Sequence, residues 1–318
     1  MTEAGAPASG ALARPPGLGG PAAATAGGRL YVVATPIGNL GDVTFRSLEV
    51  LTAVPLIAAE DTRIARRLLS RYKISTPLTS FHARSTPSKL AELVDHLAGG
   101  ADLALVTDAG TPGVSDPGDE LVRAWAARDG TVVPIPGASA VLAALVASGV
   151  AGPRWSFEGF LPRSGRDRRE RVARIAADPR PSVLFEAPSR VAATLVDLAA
   201  ACGPDRPAAV CRELTKIHEE FVRGTLGELA DAALAGRIKA RGEFAIVVGP
   251  GTEDGPPRPD AGPGADETAD PLEAARAEVA ALVAAGVARG EAARRVARAR
   301  GVSRRRLYDA PDEGGGRR

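Results

Sequence analysis

The sequence predicts an α/β protein with two α/β domains, a parallel-sheet domain followed by a mixed-sheet domain, and a small C-terminal helix-turn-helix. Three observations favour this class. Short β-rich segments alternate with helical ones from residue 30 onward, which is typical of crossover connections and a parallel sheet. In the second half, two strand candidates lie only a few residues apart, which favours antiparallel pairing. Finally, a Pro/Gly-rich acidic segment precedes an arginine-rich helical tail.

Length and composition limit the class of protein. The chain has 318 residues, more than one hydrophobic core usually contains, and its 45% hydrophobic and 25% charged content is globular. No apolar run approaches the ~18 residues of a membrane span, and the start lacks a signal-peptide pattern, so we expect a cytoplasmic protein without a membrane partner. Cys202 and Cys211 are predicted to be buried thiols, and no Cys/His spacing predicts a metal site.

The first elements follow a Pro/Gly/Ala-rich stretch over residues 1–28, whose composition predicts a disordered leader. The first α/β domain is predicted over residues 29–152. Its strand candidates are LYVVAT, LIAAED, PLTSFH, DLALVT and TVVPIP. The helical segments after them are FRSLEVLTAV, TRIARRLLSRY, KLAELVDHLA, DELVRAWAARDG and GASAVLAALVASG.

The second α/β domain is predicted over residues 153–250. Its strand candidates are RWSFEGF, SVLFEA, PAAVCREL, EEFVRGTL and GEFAIVVG. Residues 251–271 read as a linker and residues 272–310 as the helix-turn-helix, with residues 311–318 as a final tail. Within the helix-turn-helix, the predicted turn lies at Gly301, Ser303 is placed as an N-cap, and four residues share an apolar helical face: Leu272, Val279, Leu282 and Val283.

Three Gly/Pro-rich segments follow strands of the first domain: ATPIGNLGD after the first, TDAGTPGVSDPG after the fourth and IPGASA after the fifth. Ligands of open parallel sheets lie beyond the carboxyl ends of the strands, so the sequence predicts that these loops face one crevice. The alternative is that they are only tight strand-to-helix turns. Neither G-x-G-x-x-G nor a P-loop pattern is present, which argues against a phosphate cradle.

Eight segments in this order carry a family resemblance: ATPIGNLGD, AAEDTR, TDAGTPGVSDPG, PGASA, FEGFLPR, FEAPSR, CRELTKIHEE and GEFAIVVG. Together they resemble the ribosomal RNA small subunit methyltransferase I family of the tetrapyrrole methylase superfamily. The resemblance covers about residues 30 to 250, and the arginine-rich tail is similar to that family's C-terminal extension. It implies two α/β domains of the tetrapyrrole methylase type.

The resemblance also implies a function, namely S-adenosylmethionine-dependent 2′-O-methylation of a cytidine in the decoding region of 16S rRNA. It further implies a homodimer that holds the cofactor between its domains and acts on 16S rRNA within the small ribosomal subunit, with naked rRNA as the alternative substrate. The cofactor contacts that it implies are Pro36, Ile37, Asp108, Thr111, Pro112, Val114, Ser139, Ala140, Phe185, Glu186, Arg212, Glu213, Gly242, Glu243 and Phe244.

Methyl transfer to a ribose hydroxyl benefits from a base that removes the proton, typically by ~100- to 10,000-fold. The titratable residues expected in or near the cleft are Glu60, Asp61, Asp108, Glu186, Glu213 and Lys216. Of these we favour Glu60 or Glu213 as the general base.

Arginines supply the predicted RNA contacts, because phosphate neutralisation gives affinity that does not depend on sequence. With the family resemblance, Arg63 is expected to contact RNA phosphate or to order the cleft. Its alternative is a solvated charge beside an N-cap at Asp61 or Thr62. The tail contributes Arg294, Arg295, Arg304, Arg305 and Arg306, whose alternative role is a solubilising helix surface.

Two other functions stay open at this level. A small-molecule, precorrin-type tetrapyrrole methylase would share the fold, although the basic tail argues against it. A non-enzymatic helix-turn-helix DNA-binding regulator with an α/β ligand sensor would explain the tail alone.

Overall fold

The computed structural model describes residues 27–251, 271–284 and 288–300. Within the first of these ranges, strands and helices alternate as the sequence predicts. The first half contains β1 (Leu30–Val33), α1 (Phe45–Ala53), β2 (Leu56–Ala59), α2 (Thr62–Arg71), β3 (Leu78–Ser80), α3 (Pro87–Ala98), β4 (Leu103–Val106), α4 (Asp119–Ala126), β5 (Val132–Ile135) and α5 (Ala140–Ser148). The second half contains β6 (Ser156–Phe160), α6 (Gly165–Ala177), β7 (Ser182–Glu186), α7 (Val191–Cys202), β8 (Pro207–Arg212), β9 (Glu220–Thr225), α8 (Leu226–Leu234) and β10 (Phe244–Val248).

The first sheet is parallel and has the strand order β3-β2-β4-β1-β5. Apolar residues of α1 and α2 cover one face of it, and those of α3 and α4 cover the other. Burial on both faces explains why β4 is an uninterrupted apolar run, LALV. Because β1 lies between β4 and β5, the loops that leave these three strands start side by side.

The second sheet is mixed and has the order β6-β7-β10-β8-β9. Strands β6 and β7 are parallel, whereas β10 pairs antiparallel with both β7 and β8, and β8 with β9. The last strand of the chain to enter this sheet is therefore its centre, and all of Phe244–Val248 is buried. Helices α6, α7 and α8 cover one face of this sheet.

Helix α5 connects the two halves of the fold. Its residues Val141, Ala144 and Leu145 are buried against the second sheet, where they pack with Cys211 and Val247. Residues 27–251 accordingly form one compact unit that contains both predicted domains. The predicted fold class, a parallel and a mixed α/β sheet, is confirmed.

The tail is described over α9 (Pro271–Ala284) and α10 (Arg289–Arg300). The two helices share a small core of Ala275, Val279, Ala292, Ala293 and Val296, against which Leu282 packs. Val283, predicted on the same apolar face, is exposed instead, because one helical position turns it about 100° away from Leu282. The predicted turn at Gly301 lies outside the described residues, as do residues 1–26 and 252–270.

Two boundary findings complete the fold. Gly28, the last residue of the predicted leader, is bound to the first half of the fold, because its N–H donates to the Leu97 carbonyl oxygen over 2.7 Å. No helix among the described residues is long and apolar enough to cross a membrane.

Candidate active site

Backbone pairing holds the first and fourth strand-end loops together. Thr35 and Gly110 exchange two N–H···O bonds of 2.8 and 3.0 Å, forming a short antiparallel bridge beyond the parallel sheet. The Thr35 hydroxyl also donates to the Thr107 carbonyl oxygen over 3.1 Å. The loop after β1 is thereby fixed against the long loop after β4.

All three loops and four segments of the second half enclose one cavity of about 400 Å³. Small-molecule sites commonly range over ~300–1,000 Å³ and are mainly apolar with a few polar groups. The residues that line it are Ile37, Ala109, Gly110, Thr111, Val114, Ser115, Asp116, Ser139, Ala140, Val141, Phe160, Phe185, Glu186, Ala187, Pro188, Leu214, Gly242, Glu243, Phe244 and Ala245.

The loop between β4 and α4 has an unusual backbone that explains its glycines. Gly110, Gly113 and Gly118 have positive φ angles of 78°, 83° and 126°. A Cβ at Gly118 would also lie 2.8 Å from the Leu105 side chain. Ser115 has φ of 63° although it carries a side chain, a conformation that costs on the order of 1–3 kcal/mol and concentrates at functional sites. The loop is thus a specified structure rather than a simple turn.

The segment after β8 is tied by an ion-pair network. Lys216 Nζ donates to Glu213 Oε1 over 2.8 Å and to Glu243 Oε2 over 2.9 Å. The hydrogen bond from Lys216 is the main cause that lowers the pKa of Glu213. The same segment reaches the first loop, because the Asn39 N–H donates to the Thr215 hydroxyl over 3.1 Å.

Glycine is required on both sides of this network. A Cβ at Gly242 would lie 2.5 Å from the Glu213 carboxylate, and Gly242 has φ of 94°. A Cβ at Gly38 would lie 2.5 Å from Lys216 Cγ. These two glycines therefore allow the halves of the site to close around Glu213 and Lys216.

The carboxyl groups of Glu60, Asp108 and Asp116 lie close together near the ends of β2 and β4. The Asp108 N–H donates to Glu60 Oε2 over 3.3 Å, and the Asp61 N–H donates to Asp108 Oδ1 over 3.1 Å. Burial raises the pKa of Glu60 and of Asp108 above their usual values. Burial, together with the charge of Glu60, raises the pKa of Asp116 to about 6. Asp116 is the member of this group that lines the cavity.

Glu186 at the end of β7 is fully buried and bonded on both oxygens. Thr194 Oγ1 donates to Oε2 over 2.6 Å, the Ala187 N–H donates to Oε1 over 2.8 Å, and Arg190 Nε lies 3.3 Å from Oε1. Beside it, the Phe185 ring packs edge-on against Phe157 with centroids 5.1 Å apart. The Glu186 side chain is therefore fixed before any ligand binds.

The structure brings most of the implied cofactor contacts to the cavity wall. Ten of the fifteen line it: Ile37, Thr111, Val114, Ser139, Ala140, Phe185, Glu186, Gly242, Glu243 and Phe244. The other five do not line it: Pro36 and Pro112 are buried, Arg212 donates to Glu220 over 2.7 Å, Glu213 is bound by Lys216, and Asp108 contacts Glu60 and Asp61.

Sequence reasoning missed several lining residues. Ser115 and Asp116 belong to the loop TDAGTPGVSDPG, and Leu214 lies between the candidate residues Glu213 and Lys216. Nothing in the spacing of these three residues identifies them as lining residues. One feature of the sequence could have identified Asp116 as a lining residue: it is the last acidic residue before α4, in a loop that the sequence already assigns to a ligand. Glu60, one of the favoured bases, does not line the cavity and instead contacts the loop that does.

The predicted RNA contacts are dispersed over the chain. Asp61 is the N-cap of α2, as the simpler interpretation held, and its carboxylate also binds the Arg63 guanidinium at 2.6 Å. That contact is the main cause that lowers the pKa of Asp61 to about 2. Arg294 and Arg295 of α10 are exposed and lie within 3.2 Å of Glu291. Arg304, Arg305 and Arg306 lie outside the described residues.

Two further observations concern the metal-ligating and thiol side chains of the described part of the chain. No group of three or more His, Cys, Asp or Glu side chains there could hold a metal ion. Cys202 and Cys211 are buried, and burial raises the pKa of the Cys211 thiol to about 12.

The fold has known counterparts. Residues 29–230 match the family model described as tetrapyrrole (corrin/porphyrin) methylases. A cobalt precorrin-4 methyltransferase of cobalamin biosynthesis superposes with a TM-score of 0.54 at 19% identity, covering 70% of this chain and 94% of that one. A Thermus thermophilus uroporphyrin-III C-methyltransferase, solved with S-adenosylhomocysteine, gives 0.50 at 19% identity, covering 70% and 97%. The chain is thus a member of the tetrapyrrole methylase family.

Curated relatives narrow this class. A Synechocystis protein named ribosomal RNA small subunit methyltransferase I is 45% identical over 281 residues, which are 88% of this chain and 96% of the relative. A Bacillus subtilis protein of the same name is 40% identical over 286 residues, 89% of this chain and 94% of the relative. Within the tetrapyrrole methylases, the chain belongs to the ribosomal RNA small subunit methyltransferase I family.

Proposed function

We propose that this protein transfers a methyl group from S-adenosylmethionine to the 2′-oxygen of a cytidine ribose in the decoding region of 16S rRNA. The observation that carries the proposal is the cavity at the carboxyl edge of the first sheet. Asp116, Glu186 and Glu243 line it, and none of its described lining residues is a lysine, arginine or histidine. The names of the curated relatives support ribosomal RNA as the substrate.

The cavity suits S-adenosylmethionine in size and charge. Asp116 favours a cationic ligand most, because Glu186 and Glu243 already pair with Arg190 and Lys216. Attraction between opposite charges strengthens where water is excluded. Ile37, Val114 and Leu214 supply apolar surface for an adenine ring. Exposed backbone groups of the glycine-bearing loops supply hydrogen-bond partners, as glycine allows a close approach of the main chain.

The bound cofactor would supply an electrophilic methyl group carried on a sulfonium sulfur. The protein's own part is to hold the ribose hydroxyl in line with that methyl group, and such positioning can be worth ~7 to 11 kcal/mol. The bridge between Thr35 and Gly110 and the network around Lys216 provide the rigid walls that positioning requires. Glu60 and Glu213 are the general-base candidates that the sequence favours.

RNA binding is proposed for the exposed arginines of α2 and of the tail. Arg63, Arg66 and Arg67 are exposed on α2, which begins directly after Glu60 and Asp61 at the edge of the acidic group. The tail residues Arg294 and Arg295 extend the proposal to α10, and Arg304, Arg305 and Arg306 extend it beyond the described residues. Ribosomal RNA as substrate would place the protein in the cytoplasm.

A homodimer is proposed from the family resemblance and from exposed apolar side chains. Phe45, Val146 and Ile217 are 87%, 77% and 97% exposed. A second, open cavity of about 580 Å³ is lined by Thr44, Ala143 and Thr215, which are close in sequence to these three residues. A contiguous apolar surface is typical of protein–protein contacts. Light scattering of the wild type and of Ile217→Glu measures whether a dimer forms and whether this surface carries it.

The experiment for the reaction uses S-adenosylmethionine labelled in its methyl group. The purified protein is incubated with small ribosomal subunits, with naked 16S rRNA and with a precorrin, and the modified nucleotide is mapped by mass spectrometry. Label on a cytidine ribose of the rRNA supports the proposal. Label on a base of the rRNA contradicts the ribose 2′-oxygen as the acceptor. Label on the precorrin alone contradicts the proposal and favours the small-molecule methylase. Tight duplex-DNA binding without any methyl transfer would favour the regulator.

A further inference from the structure

We infer that the carboxylate of Asp116 is the general base that accepts the ribose hydroxyl proton during methyl transfer. The inference rests on the proposed function and names a residue for its chemical step. In that step the ribose oxygen forms a bond to the methyl carbon while the bond from that carbon to sulfur breaks. The bonding pair stays on sulfur, which becomes the neutral thioether, and the hydroxyl proton moves to a carboxylate oxygen of Asp116.

Position and partners distinguish Asp116 from the other carboxylates of the cavity. Glu186 is bonded on both oxygens by Thr194, Ala187 and Arg190. Glu243 accepts a hydrogen bond from Lys216. Among the described residues, the hydrogen-bond partner of the Asp116 carboxylate is the Thr107 hydroxyl, which donates to Oδ2 over 3.4 Å. One oxygen of Asp116 therefore stays available for a substrate hydroxyl.

The loop backbone holds Asp116 in place. Ser115, immediately before it, has the positive φ of 63°. The Ser115 hydroxyl faces Gly159 of β6, where an added Cβ would lie 3.2 Å from Ser115 Oγ. Gly118, two residues after Asp116, also restricts the loop, because its φ is 126° and a Cβ there would lie 2.8 Å from the Leu105 side chain. Strain retained at a residue adjoining a carboxylate in a cavity is typical of a side chain that must be aimed.

The electrostatic surroundings suit a base that works near neutral pH. Burial and then the charge of Glu60 raise the pKa of Asp116 to about 6, while the Thr107 hydrogen bond and Asp108 act as smaller influences in opposite directions. The other charged groups at the cavity wall are Glu186 and Glu243. A base is most effective when its pKa lies close to the working pH. In contrast, Glu213 is bound by Lys216, which lowers its pKa and makes it a weaker proton acceptor.

The first test replaces the carboxylate and keeps its shape. Asp116→Asn retains the bond to Thr107 but cannot take up a proton, so turnover should fall ~100-fold or more. Affinities for S-adenosylhomocysteine, by calorimetry, and for 16S rRNA should change less than threefold. The matched control is Asp119→Asn, an exposed α4 residue paired with Arg123, which should keep wild-type turnover.

The second test shifts the pH profile by replacing neighbours of Asp116 and leaving Asp116 itself unchanged. The ratio kcat/KM, which reports the unliganded protein, should rise with pH through a midpoint at the Asp116 pKa of about 6 and then level off. Glu60→Gln removes a charge that raises this pKa, so the midpoint should move down; Thr107→Val removes a hydrogen bond that lowers it, so the midpoint should move up. Carbon-13 NMR of labelled aspartate, with Asp116→Asn to assign the signal, measures the same titration without turnover.

The outcomes separate this inference from the function on which it rests. If the wild type methylates rRNA and Asp116→Asn does so equally well, the inference is overturned and the proposed function stands. It is also overturned if Glu60→Gln abolishes transfer outright, which would make Glu60 the base, or if Asp116→Asn loses ligand binding in proportion to turnover. A wild type that methylates no RNA overturns the proposed function itself.

Discussion

Single residues in this site act mainly through backbone conformation and through their partners. Gly242 lines the cavity and, at a φ of 94°, leaves room for the Glu213 carboxylate. Glu213 itself has φ of 52° and is bound by Lys216. Composition identifies such glycines and charges, but their environments depend on residues about 30 positions away. The sequence could therefore name Glu213 and Gly242, and could not say that one makes space for the other.

The glycine argument predicts the effect of Gly242→Ala. A left-handed backbone costs an alanine about 1–2 kcal/mol, and at this position the new Cβ would also displace Glu213. We expect lower thermal stability together with roughly tenfold weaker binding of S-adenosylhomocysteine. Gly236→Ala is the matched control, because Gly236 has φ of 71° and open space around it. The control should lose similar backbone stability and keep its affinity; equal affinities in both variants would contradict the role given to Gly242.

At the level of elements, the order of strands and helices was predictable and the pairing was only partly so. Strands such as β4 (LALV) and β10 (FAIVV) are continuous apolar runs, which local reasoning detects. The antiparallel pairing of β8 and β9 follows from their short connection. The insertion of β10 between β7 and β8 was not predictable, since it depends on which strand buries the continuous run FAIVV. That insertion brings Gly242, Glu243 and Phe244 to the cavity.

Helix α2 supports a prediction about RNA affinity. Arg66 and Arg67 are exposed, and among the described residues neither forms an ion pair, so both are available to phosphate. The double variant Arg66→Gln/Arg67→Gln should bind 16S rRNA more weakly. The slope of log affinity against log salt should fall by about 1.4 to 1.8, since each phosphate contact contributes ~0.7–0.9. Filter binding over a salt series measures both quantities.

The control removes the same charge elsewhere on the first half. Arg123 and Arg128 pair with Asp119 and Asp95, and α4 covers the opposite face of the sheet from α2. Their double glutamine variant should leave the salt slope within about 0.5 of the wild type. Identical slopes for both double variants would remove α2 from the proposed RNA surface.

At the level of the whole molecule, the cavity and the tail belong to different compact units. Every residue that lines the cavity lies between Ile37 and Ala245. The small core of α9 and α10 is made of their own residues, such as Ala275 and Val296. Composition favours a division in this part of the chain, because the Pro/Gly-rich stretch over residues 251–271 has too little apolar content to form a core.

Truncation after Gly251 tests the division. The shortened protein should keep the fold of the first unit and bind S-adenosylhomocysteine with wild-type affinity, because the cavity is complete without the tail. Its affinity for 16S rRNA should fall and become less salt-dependent, since the chain from Pro271 onward carries eleven arginines against six acidic residues. Calorimetry and filter binding provide the two measurements. Loss of S-adenosylhomocysteine binding would contradict the division, and unchanged RNA affinity would exclude the tail as an RNA contact.

Helix α5 has a consequence for recombining members of this family. It follows the last strand of the first sheet, yet its buried residues, including Val141 and Leu145, face the second sheet. A hybrid that joins two relatives after Ser148 would set one parent's helix against the other parent's strands. A crossover between Ile135 and Ala140 keeps helix and strands from the same parent, so the natural joint for exchanging halves lies before α5.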